Sequence, residues 1–251
     1  MKGYGPESFG ERMADVYDAW YGTRRAEQTT AASVEVLAEL AAGGTVLELA
    51  IGTGRVALPL AARGLAVHGI DASEAMVAKL RAKPGGAAIP VTIGNFADVA
   101  VDGAFDLVFL VFNTLFNLGS QAEQVRCFEN VARRLTPGGV FVVEAFVPDV
   151  AGFVDDQAFR TAHVEADTVV LEASMHDPVA QTVQYQYVEI TQSGVWLHPV
   201  PMRYAWPSEM DLMARVAGLA LRQRWSGWDR APFTAASRSH VSVYGRAGAP
   251  A

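Results

Sequence analysis

The residues of this 251-residue chain whose types and spacing could do chemistry together lie in "LELAIGTGRVALPL", residues 47–60. Gly52-Thr53-Gly54-Arg55-Val56-Ala57 satisfies the pattern G-x-G-x-x-G/A, and Asp71 ends the next apolar segment, "AVHGID". Glycines here let a strand turn sharply into a helix while ligand atoms touch backbone with no Cβ in the way. A carboxylate at the tip of the following strand suits a ribose diol. A nicotinamide dinucleotide and a nucleoside with a charged tail both make these demands. Two features separate them. Glu48 stands ahead of the turn, where an acid opposes a pyrophosphate but suits an ammonium group. Two helical patterns also precede the strand, whereas a dinucleotide domain commonly starts with it.

Other chemistry is poorly organised. His68, His163, His176, His198 and His240 show neither i,i+4 nor close strand spacing, so no metal site is expected. Cys127 is the only cysteine, which excludes an internal disulfide and a cysteine-based zinc cluster. Neither it nor Ser73 carries a nucleophile signature. A net charge of −7 argues against nucleic acid, which needs a basic face. Asp106, Asn113 and Asn117 interrupt "FDLVFLVFNTLFNL", which therefore reads as a buried strand and exit loop rather than a membrane span. The first twenty residues lack an apolar signal core, and a cytoplasmic protein is expected.

The elements that must position these residues follow from periodicity. Phe9, Met13, Val16, Tyr17 and Trp20 form one stripe, predicting an amphipathic helix over 8–21. A second helix over 30–41 leads through Gly43-Gly44 into the strand "TVLELA". A helix from about Arg55 to Gly64, the strand "AVHGID" and the helix "EAMVAKLRA", with Ser73 as N-cap, come next. Then follow the strand "DLVFLVF", the helix "AEQVRCFENVARRL", stopped by "TPGG", and the strand "VFVVEAF". Strands alternating with helices imply parallel pairing in a doubly wound sheet. After Phe146 the pattern changes. "DTVVLEASMHD", "QTVQYQYVEIT" and "GVWLHPVPMRYAW" read as three strands, in which Val183, Tyr185 and Tyr187 share a face. "PSEMDLMARVAG" is a helix with Ser208 as N-cap and Asp211 completing a near capping box. Two strands around "SGWDRAPFTAAS" close the chain. The organisation is 1–146, lid helices and cofactor-binding part; 147–206, an antiparallel β insertion; and 207–251, the last helix and terminal hairpin.

In combination these segments resemble class I methyltransferases that use S-adenosylmethionine. "LELAIGTGR", "HGIDAS", "GNFADV", "FDLVFLVFN" and "LTPGGVFVVE" look like that family's successive motifs, over about residues 8–146 and 207–246. The likeness is to small-molecule and natural-product enzymes, amino-sugar and peptide N-terminal methyltransferases among them. It implies a Rossmann-like seven-stranded sheet with a reversed last strand. Ala50 stands where the family usually has its first glycine, so the backbone there is expected to keep an ordinary φ. Asn95 replaces a frequent aspartate, and its carbonyl can accept the same bond.

Carried over by position, the resemblance implies a cofactor site. The turn Ala50, Gly52, Thr53, Gly54 would lie under the methionine portion, supported by Glu48. Asp71 would bind the ribose, Ala72 and Met76 one adenine face, and Asn95-Phe96 its amino edge and other face. Carbonyls near Phe112 would hold the ammonium, and Tyr21 and Arg55 the carboxylate. Tyr17, Trp20 and Tyr21 stand where family members fold a lid. Tyr17, Asn113 and His240 are the candidates for a catalytic role. Core or dimer packing is the expectation for Tyr185, Tyr187, Tyr204 and Trp206. The acceptor would be a small molecule or peptide, at an amine more readily than a hydroxyl, because no confident base appears; transfer leaves S-adenosylhomocysteine. The insertion would be a lid, substrate wall or homodimer surface. A nicotinamide oxidoreductase and a cofactor-binding protein without turnover are the alternatives.

Overall fold

The computed structural model describes residues 4–22 and 24–248. Its elements run α1 (Ser8–Met13), α2 (Tyr17–Tyr21), α3 (Arg24–Ala41), β1 (Thr45–Leu49), α4 (Ala57–Ala62), β2 (Ala66–Asp71), α5 (Glu74–Ala82), β3 (Val91–Ile93), β4 (Phe105–Leu110), α6 (Gln121–Arg134) and β5 (Leu135–Phe146). The second half adds β6 (Gln157–Val164), β7 (Thr168–Asp177), β8 (Thr182–Thr191), β9 (Gly194–Arg203), α7 (Pro207–Val216), β10 (Leu219–Trp225) and β11 (Ser239–Arg246).

Seven strands form one sheet, ordered β10-β11-β5-β4-β1-β2-β3. β1 through β5 pair in parallel, while β11 runs antiparallel to both β5 and β10. Leu47, Leu49, Val108, Leu110, Phe141 and Val143 bury one face under α6 and α7. Val46, Leu107, Phe109 and Val142 bury the other under α3 and α4. Strands apolar on both faces are what parallel pairing requires. Their carboxyl ends, Leu49, Asp71, Leu110 and Phe146, lie at one edge, where ligands of such sheets bind.

β6-β7-β8-β9 form a separate antiparallel sheet. It has one strand more than the three expected. β6, "QAFRTAHV", is exposed almost throughout and so shows no alternation to read. Among the described residues no helix is long and apolar enough to cross a membrane.

Four local expectations are corrected. The single helix over 8–21 is broken at Ala14–Val16 into α1 and α2, because its stripe serves two partners. Met13 packs on Met76 of α5, whereas Trp20 packs on Tyr187 and His198 of the second sheet. The helix expected from Arg55 begins at Ala57, leaving Arg55 in the turn. α7 is capped by Trp206 with Pro207 at its first turn and has no side-chain cap, so the box at Ser208 does not form. Proline supplies the helical φ and has no amide hydrogen to satisfy. Finally, Ala50 does not keep an ordinary φ; it sits at +55°. The turn needs a left-handed residue there, and alanine accepts it at about 1–2 kcal/mol.

Candidate active site

β1 ends in a turn built from left-handed residues: Ala50, Gly52 at φ +55° and Gly54 at φ +80°. The two glycines do different work. A Cβ on Gly52 would meet nothing nearer than the Ala50 carbonyl oxygen at 4.0 Å, so that position opens onto free space. A Cβ on Gly54 would stand 2.3 Å from Leu80 Cδ1, so this glycine lets the turn pack on α5. Asp71, at the tip of β2, spans the turn. Its Oδ2 accepts from Gly52 N at 2.7 Å and its Oδ1 from Ser73 N at 2.8 Å. Burial raises its pKa against the lowering by these amides. Ser73 caps α5 as expected, accepting from Met76 N at 3.1 Å.

These groups border a cavity of about 430 Å³, within the usual range for a small-ligand site. Ala50, Gly52, Asp71, Ala72, Met76, Asn95, Phe96 and Tyr17 line it. Asn95 Oδ1 already accepts from Ala97 N at 2.9 Å and keeps one lone pair for a ligand. Tyr4, Phe9 and Gly10 close one side, and Val183, Gln184 and Met202 of the second sheet another. The periodicity of strands β8 and β9 marked a half-buried face but carried no sign of which cavity it bordered.

The remaining assigned residues sit behind the turn. Arg55 stacks its guanidinium 3.5 Å from the Phe112 ring centroid and donates to the Tyr17 hydroxyl at 3.3 Å. Tyr21 lies against the same guanidinium at 5.4 Å. Burial pushes the Tyr17 phenol up to about 12 despite Arg55. Glu48 is buried, and its Oε2 has no hydrogen-bond partner. Burial drives its pKa well above the carboxylate range, opposed by Arg55. Glu144, which the sequence did not single out, accepts from Phe112 N at 2.9 Å. It thereby holds the left-handed pair Phe112-Asn113 at the exit of β4.

Three expectations change. Thr53 turns from the cavity to α2, donating to Asp18 at 2.7 Å, while Lys83 bridges Asp18 and the Thr53 carbonyl. Asn113 Oδ1 accepts from Phe146 N at 2.7 Å, so its side chain ties β4 to β5 rather than facing a substrate. His240 is not at the substrate mouth. It is fully buried beside Phe233, bonded to Ser242 at 2.8 Å, with its pKa pushed down by burial to about 4.

The N-terminal helices are held on α5 by charge and close approach. Glu11 accepts from Ser73 Oγ and Ala75 N, and Asp15 pairs with Lys79. Gly10 lies so near α5 that a Cβ there would meet Ser73 Cβ at 2.3 Å. Tyr4 donates to the Pro199 carbonyl at 3.1 Å, tying the segment to β9. Among the described residues no three His, Cys, Asp or Glu side chains gather as a metal site would need.

A seven-stranded sheet with one reversed strand, and an acid beside a left-handed turn, define a Rossmann-like nucleoside-binding enzyme. Residues 46–139 match the family model described as "Methyltransferase domain". The chain is 30% identical over 207 residues to the cypemycin N-terminal methyltransferase of a Streptomyces species, covering 81% of this chain and 84% of that protein. It is 30% identical over 148 residues to the dTDP-4-amino-2,3,4,6-tetradeoxy-D-glucose N,N-dimethyltransferase of Saccharopolyspora spinosa, covering 56% and 58%. The solved structure of the CcbJ methyltransferase from Streptomyces caelestis superposes with a TM-score of 0.89 at 42% identity, over 98% of this chain and 100% of that one. The chain belongs to the S-adenosylmethionine-dependent methyltransferases. The oxidoreductase alternative falls with that.

Proposed function

We propose that the enzyme methylates an amine nitrogen of a small molecule or peptide. The composition of the cavity wall carries this reading. Among the described residues the wall holds no histidine, its two carboxylates already accept from protein donors, Asp71 from Gly52 N and Ser73 N and Glu123 from Ser120 Oγ, and the Tyr17 phenol is too weak an acid to shuttle protons near neutrality. A hydroxyl acceptor needs a base, whereas an amine needs only to arrive neutral, which desolvation favours. The names of the cypemycin and amino-sugar relatives, both N-methyltransferases, support the same choice.

The residues present fit the cofactor: a buried acid with an orphaned oxygen, a cradle that a Cβ would enter, and an apolar slot. S-adenosylmethionine supplies the electrophilic methyl as a sulfonium. Asp71 would accept the ribose hydroxyls, Ala72, Met76 and Phe96 would enclose the adenine, and Asn95 would meet its amino edge. Arg55, helped by Tyr21, would hold the carboxylate; Glu48 and the carbonyls near Phe112 would hold the ammonium. α1 and α2 exclude water, which leaves alignment as the protein's main contribution. We place a homodimer contact on the outer face of the second sheet, where Phe159, Met175, Val195 and Leu197 are exposed.

Calorimetry with S-adenosylhomocysteine, followed by a mass-spectrometric screen of amine and alcohol libraries for products one methylene heavier, tests the reading. Products from alcohols alone would refute it. Asp71→Ala should lose about 1.5–3 kcal/mol of cofactor affinity, the worth of a charge-assisted hydrogen bond.

A further inference from the structure

The turn that follows β3 carries Asn95, the residue set against the base above. Gly94 N donates to Asp71 O at 2.8 Å, Asp98 N to Asn95 O at 3.0 Å, and Asn130 Nδ2 of α6 to Ala97 O at 2.9 Å. The turn is thus tied to β2 on one side and to α6 on the other. Within it Asn95 Oδ1 accepts from Ala97 N at 2.9 Å. Only the oxygen of an amide can accept that bond, which settles which end of the side chain faces the turn. Ala97 is fully buried, so turning the amide over would leave its N–H without an acceptor. Asn95 is therefore held with its oxygen toward the turn and Nδ2 away from it. Among the described residues no acceptor pairs with Nδ2, and Asn95 lines the cavity together with Phe96 and Met76.

For the turn alone asparagine and aspartate are equivalent, since the side-chain oxygen of either accepts from the amide two residues on. They differ in what is left for the cavity. The second oxygen of an aspartate presents acceptors only. Such an edge takes the hydrogens of a 6-aminopurine and repels the oxygen of a 6-oxopurine. Asn95 instead presents the Nδ2 donor, with one lone pair left on Oδ1. That donor pairs with ring nitrogen N1 of an aminopurine, and equally with the 6-oxygen of an oxopurine. The lone pair takes the neighbouring hydrogen in each case, from the amino group of the first and from N1 of the second. The amide carries no charge, so neither edge is favoured by electrostatics.

We propose that Asn95 makes the cofactor site tolerant at position 6 of the purine, so that the enzyme takes a 6-oxopurine sulfonium as well as the 6-amino one. The proposal rests on the placement of the base against Asn95 and Phe96 given above, and adds which bases that edge accepts. Asn95 is then a specificity-determining residue, and its donor is the group that sets the specificity.

The probes are S-adenosylhomocysteine and S-inosylhomocysteine, which differ only at purine position 6 and in the proton this sets on N1. Each is titrated by calorimetry into the parent enzyme and into Asn95→Asp. The parent should bind the two within about tenfold of one another, because the edge makes the same number of hydrogen bonds to both. Asn95→Asp keeps the oxygen that Ala97 N needs, so it should melt with the parent and retain S-adenosylhomocysteine. It should lose S-inosylhomocysteine by about tenfold or more, the worth of one hydrogen bond to a charged group. A parent that prefers S-adenosylhomocysteine by more than about tenfold overturns the proposal. So does an affinity ratio that fails to rise in folded Asn95→Asp. In that second case the individual affinities separate two failures. If both move together, the base lies against Asn95 but its edge is not read by the donor. If neither moves, the placement of the base falls as well.

Discussion

Gly52 and Gly54 stand two residues apart in one turn, yet replacing each by alanine should break different things. At Gly52 the backbone is left-handed, φ +55°, and a Cβ would find free space, with only the Ala50 oxygen at 4.0 Å. The apo protein should therefore lose only the left-handed penalty, about 1–2 kcal/mol. For a chain of this size that is roughly a 2–8 °C fall in Tm. The same free space is where the cofactor would approach the backbone. The methyl group should thus cost at least tenfold in S-adenosylhomocysteine affinity by calorimetry. At Gly54 the balance reverses. The left-handed penalty is joined by contacts of 2.3 Å to Leu80 and 3.2 Å to Leu58, and overpacking of that kind adds about 1–3 kcal/mol. Gly54→Ala should be the less stable variant while its folded fraction keeps near-parental affinity. Full affinity in Gly52→Ala, or a larger affinity loss in Gly54→Ala than in Gly52→Ala, would refute this division. Neither variant nor the parent should bind NAD.

Glu48→Gln should stabilise the apo enzyme near neutral pH. The folded pKa of Glu48 is raised by burial, so the native state holds its proton after the unfolded chain has released it, and the wild type loses stability as pH rises above about 4.3. Each tenfold in acidity is about 1.4 kcal/mol, so the gap between variant and parent should widen as pH rises above about 4.3, level off once the native carboxyl itself ionises, and close below it. A gap in thermal melts that does not change with pH above about 4.3 would show that Glu48 keeps an ordinary pKa. Deleting residues 1–21 should leave a folded sheet that loses the cofactor much faster, because Met13, Ala14 and Met76 cluster apart from the two main cores. Aggregation of the truncated chain would make Phe9, Tyr17 and Trp20, which pack on that cluster, part of the core and refute the lid.

The cofactor half was legible because its chemistry is local. Gly52, Gly54 and Asp71 follow from what a strand-turn-helix must do to admit a ligand, and they are close in sequence. What stayed hidden depends on geometry that types do not encode. Ala50 reads as an ordinary residue, since nothing in an alanine announces that its neighbours force φ to +55°. Asn113 and Thr53 carry polar groups near the site, but only the fold shows them spent on Phe146 N and Asp18. Glu144 lay inside a recognised motif as one more polar position. Its bond to Phe112 N joins two strand ends that are sequentially remote.

The second sheet is harder for a further reason. Alternation along β8 shows that Val183, Tyr185 and Tyr187 share a face, but not what lies across from them. Strand register supplies that, by setting Arg160 and Glu172 opposite one another and Tyr187 beside them. Register in turn depends on pairing that an exposed strand such as β6 does not advertise, and slipping it by one residue would send Arg160 to the outer face. The turn at Gly52 answers to a ligand whose phosphate-free, charged tail constrains several neighbouring residues at once. The inner face of the second sheet is built from single residues on separate strands, and those residue types are equally at home in a solvated sheet. The cofactor turn is therefore legible in consecutive residues, whereas what the second sheet brings together is written in cross-strand pairs and becomes readable only once the strands are aligned.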